Sequence, residues 1–96
     1  MPDKTIITFK KECERIFVLY KDKAYNETSL RYKDGDIKIE DVDTMRAIYS
    51  MFIYKITVTV DQVSLRYPDL EKDFRKICRD LTESFNDIVR ELIERI

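Results

Sequence analysis

The chain has 96 residues, of which 44% are hydrophobic and 39% are charged, with 18 Lys and Arg against 19 Asp and Glu. This near balance argues against a protein whose main task is to hold polyanions, because phosphate binding normally needs a basic surplus. The sequence has no histidine and one glycine, which excludes Ser-His and Cys-His nucleophile pairs and glycine-rich phosphate loops.

The length and even composition predict a single domain over residues 1–96, with an α/β body at 1–60 and a helix at 68–96. The N-terminal residues lack the apolar run of a signal peptide, and no stretch is apolar for long enough to make a membrane span. We therefore expect a cytoplasmic protein with no membrane, cofactor or small-molecule substrate as partner. Scarce Asn and Gln beside abundant ion-pairing residues indicate a thermophilic host, or a virus of one.

The two cysteines, Cys13 and Cys78, are too few for a disulfide framework and lack metal-ligand spacing. Both fall on apolar faces of expected helices, where a thiolate is disfavoured, so we interpret them as buried small hydrophobic side chains. In a thermophilic host a disulfide between them would also be compatible with the cell interior. The sequence leaves that choice open.

Two elements are expected before residue 26. Residues 4–9 are short, β-branched and apolar, which predicts a strand. Apolar residues then recur at spacings of three and four, which predicts a helix over about 10–25. That apolar face consists of Phe9, Cys13, Ile16, Phe17, Tyr20 and Ala24.

The next stretch, YKDGDIKIEDVD at 32–43, superficially resembles a calcium-binding loop. The first ligand position of such a loop would be Tyr32, and the glycine required at its sixth position is Ile37. By contrast, Asp34-Gly35 between two alternating runs is a strong signal for a β-hairpin with a type I′ turn. The sequence therefore predicts a hairpin rather than a metal loop.

Asp41 or Asp43 is expected to cap a second helix that extends to about residue 52. Residues 55–60, KITVTV, alternate apolar with polar side chains and are rich in β-branched residues, which favours a strand. A competing interpretation continues the helix to about residue 65, because a set of apolar residues also keeps helical spacing. That set is Phe52, Ile56, Val60 and Val63.

Pro68 suits the first turn of a long final helix. The resulting order of elements, β-α-β-β-α-β with an appended helix, predicts an α+β fold of ferredoxin-like topology with strand order 4-1-3-2. The alternative is a mainly α protein with one β-hairpin. Apolar residues repeat through the final helix at threes and fours: Leu70, Phe74, Ile77, Leu81, Phe85, Ile88, Leu92 and Ile96.

This apolar stripe cannot remain in water, so we expect it to be covered by a second copy or another protein, with docking on the same chain as the next choice. The expected function is non-catalytic: an inhibitor, adaptor or assembly subunit that binds a protein partner or itself, as a homodimer. The expected anchors are Leu81, Phe85, Ile88, Leu92 and Ile96. Charges expected to select the partner are Asp80, Glu83, Asp87 and Arg90, and the hairpin tip, Lys33, Asp34 and Asp36, is a secondary contact.

Two alternatives belong to other classes of function. A nucleic-acid binder would use the open sheet face, which offers some positive charge but no aromatic platform. A metal-dependent enzyme would use Asp80, Glu83 and Asp87, whose spacing could hold Mg²⁺, although they lie well away from the apolar side of the helix. The expected sheet-face residues are Thr8, Arg31, Lys38, Thr57 and Thr59.

Overall fold

The computed structural model of the protein describes residues 4–32 and 35–96. Over these residues the chain forms three long α-helices, α1 (Lys4–Glu27), α2 (Ile39–Arg66) and α3 (Glu71–Glu94). Short 3-10 turns at Ser29–Arg31 and Pro68–Leu70 stand in the two connections. The helices run up, down and up, so α1 and α3 are parallel and α2 lies antiparallel to both.

The expected ferredoxin-like α+β fold is wrong, because the described part of the chain contains no strand. The protein is a three-helix bundle of the all-α class. The alternative, a mainly α protein with one hairpin, was correct about the dominant helical content but also required strands that residues 4–32 and 35–96 do not form. Each failed strand has its own physical cause.

Residues 4–9 are the first turns of α1 rather than a strand. Their β-branched side chains favour a strand when taken alone, but Phe9 is in helical step with Cys13 and Ile16, and all three are buried in one core. Ile6 packs against the same core one turn earlier. Tertiary burial of the periodic face therefore outweighs the local β preference.

The hairpin expected around Asp34-Gly35 is not found in the described residues on either side of it. Ser29–Arg31 is a 3-10 turn, residues 35–38 are irregular, and α2 begins at Ile39. A type I′ turn needs positive φ at both central residues, and Gly35 does not have it. Its role is steric, since a Cβ at Gly35 would lie 2.9 Å from the Cβ of Tyr32.

The strand expected at residues 55–60 lies in the middle of α2, so the competing interpretation was correct. Ile56 and Val60 continue the buried side that begins at Met45, Ile48 and Phe52. The hydroxyl of Thr59 donates to the Lys55 carbonyl at 2.7 Å, one turn back. A β-branched residue in a helix can thus satisfy its polar group locally.

The core of the bundle is aromatic and draws one ring or more from each helix. The rings of Phe52 on α2 and Phe85 on α3 stack with centroids 4.7 Å apart and planes 16° apart. Phe17 on α1 meets both edge-on, at 6.0 and 6.2 Å. Edge-to-face and offset contacts of this kind suit the ring quadrupoles and add to the free energy of burial.

One carboxylate and one guanidinium group hold the connection between α1 and α2. The buried carboxylate of Asp41 accepts hydrogen bonds from the backbone N–H groups of Lys38, at 2.8 Å, and Ser29, at 3.2 Å. At the same end of the bundle, just after α3, Arg95 donates to the carbonyl oxygens of Tyr32 and Gly35 at 2.6 and 2.9 Å. The N-cap of α2 is Lys38, so the expectation that Asp41 or Asp43 occupies that position is wrong. Asp41 stands at the third helical position, and its carboxylate orders both the start of α2 and the preceding turn.

Candidate interaction surface

The final helix was expected to present its apolar residues to a partner, and the structure places most of them inside the bundle. Phe85, Leu92 and Ile88 are 0%, 1% and 7% exposed. Leu81 is partly buried against the same core, and Ile96 is exposed at the chain end. The α1 and α2 helices therefore cover this stripe within one chain.

The charged residues of α3 lie on the opposite side of that helix, facing solvent. Asp80, Glu83, Asp87 and Arg90 are all exposed and, with Ser84 and Asn86, line a broad polar surface. Arg90 lies 3.8 Å from Asp87, an exposed pair one turn apart. Such pairs contribute little to stability. Of the expected hairpin tip, Asp36 is exposed, whereas Lys33 and Asp34 lie outside the described residues.

The carboxylates considered as magnesium ligands do not converge on a common point. Asp80, Glu83 and Asp87 follow one another along the exposed side of a single helix. Among the described residues, no group of three or more Asp, Glu, Cys or His side chains is arranged to hold a metal ion. The geometry offers no support for chemistry through these carboxylates.

The surface considered for nucleic acid required a sheet, and the described residues form none. Its expected members are distributed over separate elements: Thr8 on α1, Arg31 in the first turn, Lys38 before α2, and Thr57 and Thr59 on α2. Arg31 donates to the Asn26 carbonyl at 3.0 Å and lies over the ring of Tyr32 at 4.8 Å. The sheet face therefore cannot be a binding surface in this fold.

A different surface lies on the solvent side of α2, and we call it the α2 outer face. Its largest members, Met51, Tyr54 and Leu65, are 47%, 72% and 85% exposed. Ala47 is exposed and Val58 partly exposed on the same side of the helix. Lys55 is the only charged residue between positions 47 and 60. The α2 outer face thus has few charges: Lys55 lies within this stretch, and Asp61 lies between Val58 and Leu65.

The apolar surface continues onto α1 across the groove between the two helices. Leu19, 57% exposed, and Met51 line this groove together with Tyr20, Lys23 and others. Further along, Lys55 exerts a favourable electrostatic effect on Glu12 of α1, whose pKa is lowered first by the Arg15 guanidinium. The one cation beside the α2 outer face is therefore partly balanced within the chain.

Sequence reasoning missed this surface because it divided α2 into a helix and a strand. Once the helix is continuous, Ala47, Met51, Tyr54, Val58 and Leu65 follow spacings of four, three, four and seven. They form a second apolar stripe, interrupted by the exposed Asp61, beside the one that enters the core. A helix that is apolar on two sides is normally covered on both. The spacing of these residues was therefore a sequence signal for a second contact surface on α2.

Comparison with known proteins assigns no family to this geometry. No protein-family model, curated protein or solved structure matches the chain. Within residues 4–32 and 35–96, no helix combines the length and the apolar character that crossing a membrane requires. What the protein does must be argued from its own surfaces.

Proposed function

We propose that this protein is a non-catalytic interaction module that self-associates through the α2 outer face. The supporting observation is the exposure of Met51, Tyr54 and Leu65 on one side of a helix whose other side forms the core. Contiguous exposed apolar surface of this kind is typical of protein contacts. We retain the proposal of an interaction role but assign it to α2 instead of α3, because the apolar side of α3 is buried against the other two helices.

A second copy is the occupant that the charge distribution favours. An isologous contact brings the same patch together from both subunits, so a charge at position i meets position j of the other copy and a charge at j meets position i. Over positions 47–65 the exposed side of α2 carries one cation, Lys55, and one carboxylate, Asp61, which also pairs with Arg75 of its own chain. These two lie three residues before and after Val58, so in an antiparallel contact centred there Lys55 of each copy faces Asp61 of the other, and the face can meet itself with little repulsion. The outer side of α3, with Asp80, Glu83 and Asp87 in one row, cannot.

An antiparallel arrangement of two α2 helices fits the stripe. Val58 lies midway between Met51 and Leu65 in sequence, so a twofold axis near Val58 brings Met51 of each copy to Leu65 of the other. Antiparallel helices also align their dipoles favourably. The exposed Tyr54 ring would then be covered while its hydroxyl remains near the rim, an arrangement common in protein interfaces.

The expected affinity is modest. Fully burying side chains of this size contributes roughly 1.5–3 kcal/mol each, and three large ones per copy must offset an association cost of about 4–15 kcal/mol. Because the two contributions are of similar size, we expect weak association, with a dissociation constant on the order of 1–100 μM. The self-association we propose is therefore reversible and depends on protein concentration. A cytoplasmic location, in keeping with only two cysteines in the chain, is part of the same proposal.

Sedimentation velocity over a concentration series tests this function. We expect the wild-type chain to pass from monomer to dimer in the micromolar range and Leu65→Glu to remain monomeric. Ile39→Glu is the matched control, because Ile39 is 82% exposed but lies at the start of α2, away from the stripe. A wild-type chain that stays monomeric up to millimolar concentration, or equal effects of the two variants, would contradict self-association through this face.

A further inference from the structure

The two cysteines, distant in sequence, are neighbours in the bundle. The parallel helices α1 and α3 are in register, with the rings of Phe9 and Phe74 4.5 Å apart. Cys13 and Cys78 each follow one turn later on their own helices. Both thiols are free, and each shifts the pKa of the other. Two thiols placed side by side on different elements meet the first requirement for a reversible cross-link.

The two thiols differ in their access to solvent. Cys13 is 0% exposed, whereas Cys78 is partly exposed and lines a groove of about 400 Å³ between α2 and α3. The other lining residues are Ile53, Ile56, Thr57, Val60, Arg75, Arg79 and Thr82. A small oxidant can therefore reach Cys78 through this groove, while Cys13 lies behind it.

The surroundings of the two thiols also shift their pKa values differently, in favour of ionisation at the more exposed Cys78. Hydrogen bonding from Cys13 is the main cause that lowers the pKa of Cys78, and the positive charge of Arg75 lowers it further against the effect of burial. The same hydrogen bond, followed by burial, raises the pKa of Cys13 far above its ordinary value.

The guanidinium of Arg75 is held near Cys78 by two carboxylates. It lies 2.8 Å from Glu71 on α3 and 3.3 Å from Asp61 on α2. Its neighbour Arg79 enters the same groove from the next turn of α3. A partly exposed thiol flanked by cations is the environment in which reactive cysteines occur.

We propose that Cys78 is a peroxide-reactive thiol and that Cys13 resolves its oxidised form, giving an intramolecular disulfide between α1 and α3. In the first step the Cys78 sulfur attacks one oxygen of hydrogen peroxide, the O–O bond breaks, and water leaves with the thiol proton. Cys78 is oxidised by two electrons to a sulfenic acid and the peroxide is reduced. In the second step the Cys13 sulfur attacks Cys78, the S–O bond breaks, and the Cys13 proton leaves with the hydroxyl as water.

Equimolar hydrogen peroxide, intact mass and non-reducing electrophoresis test this proposal on the full chain. We expect the wild-type protein to lose two thiol hydrogens while remaining a single chain. The closed loop between positions 13 and 78 is long, so the melting temperature should rise by about 10 °C or more and return to its starting value with dithiothreitol.

Two single substitutions separate the assigned roles. Cys13→Ser should stop at the sulfenic acid, which dimedone traps at Cys78, whereas Cys78→Ser should give no adduct in the folded state. Arg75→Gln should slow the trapping several-fold, with the exposed Arg90→Gln as matched control. The proposal is overturned if dimedone labels Cys13 first, if the disulfide forms between chains, or if the folded protein keeps both thiols under peroxide that oxidises the urea-unfolded chain.

Discussion

At the scale of single residues, Asp41 shows how one carboxylate organises a connection. Its hydrogen bond from the Lys38 backbone is the main cause that lowers the pKa of Asp41 below 3.8, and bonding from Ser29 adds to the effect. Sequence reasoning expected Asp41 or Asp43 at the N-cap, but that position is Lys38 and Asp41 acts from the third helical position. The second hydrogen bond, to a residue twelve positions earlier, could not be predicted because it depends on how the preceding turn folds back.

We expect Asp41→Asn to destabilise the protein by about 1–2 kcal/mol at neutral pH, since it weakens a buried, charge-assisted cap. Asp43→Asn, exposed and two residues away, should cost less than about 0.5 kcal/mol. Urea unfolding of both variants measures the difference. Equal costs would show that Asp41 has no special role.

The same carboxylate predicts a pH dependence. A group whose pKa is lower in the folded chain stabilises it above the unfolded pKa, and that contribution disappears as pH falls through the folded value. The advantage of the wild type over Asp41→Asn should therefore be complete above about pH 4 and shrink below it. A gap that stays constant down to pH 2 would contradict this assignment.

At the scale of elements, the sequence predicted α3 and most of α1 correctly because their apolar residues follow one uninterrupted helical period. It failed at residues 4–9 and 55–60, where β-branched residues carry the local preference toward a strand. In α2 the helical period and the strand-like alternation occupy the same residues. Ile56 and Val60 are buried at helical spacing, whereas Val58 between them is partly exposed. Only packing against α1 and α3 decides between them.

The helical state of residues 55–60 has a direct mutational test in Thr57, an exposed residue in the middle of the former strand prediction. In a helix, Thr57→Ala should stabilise the protein by a few tenths of a kcal/mol, up to about 0.7, because alanine has the higher helix propensity. In a strand the same change should destabilise it. Thermal unfolding of the purified variant gives the sign, and a loss of stability would contradict the continuous α2.

At the scale of the whole molecule, the apolar faces of the three amphipathic helices bury one another in a single core. The sequence correctly indicated that the apolar side of residues 70–96 needs a cover, but it could not show which surface provides it. With two long helices available instead of a sheet, Phe52 and Phe17 enclose Phe85 within the chain. We propose that a second molecule covers the α2 outer face, which pattern reasoning had divided between two elements.

Amide NMR spectra recorded at successive dilutions of the wild-type chain locate the associating surface most directly. We expect concentration-dependent shifts to concentrate on residues 47–65, with saturation in the micromolar range, and residues 80–94 to stay unchanged. Shifts that instead follow Asp80, Glu83, Asp87 and Arg90, or spectra that do not change with concentration, would contradict association through α2.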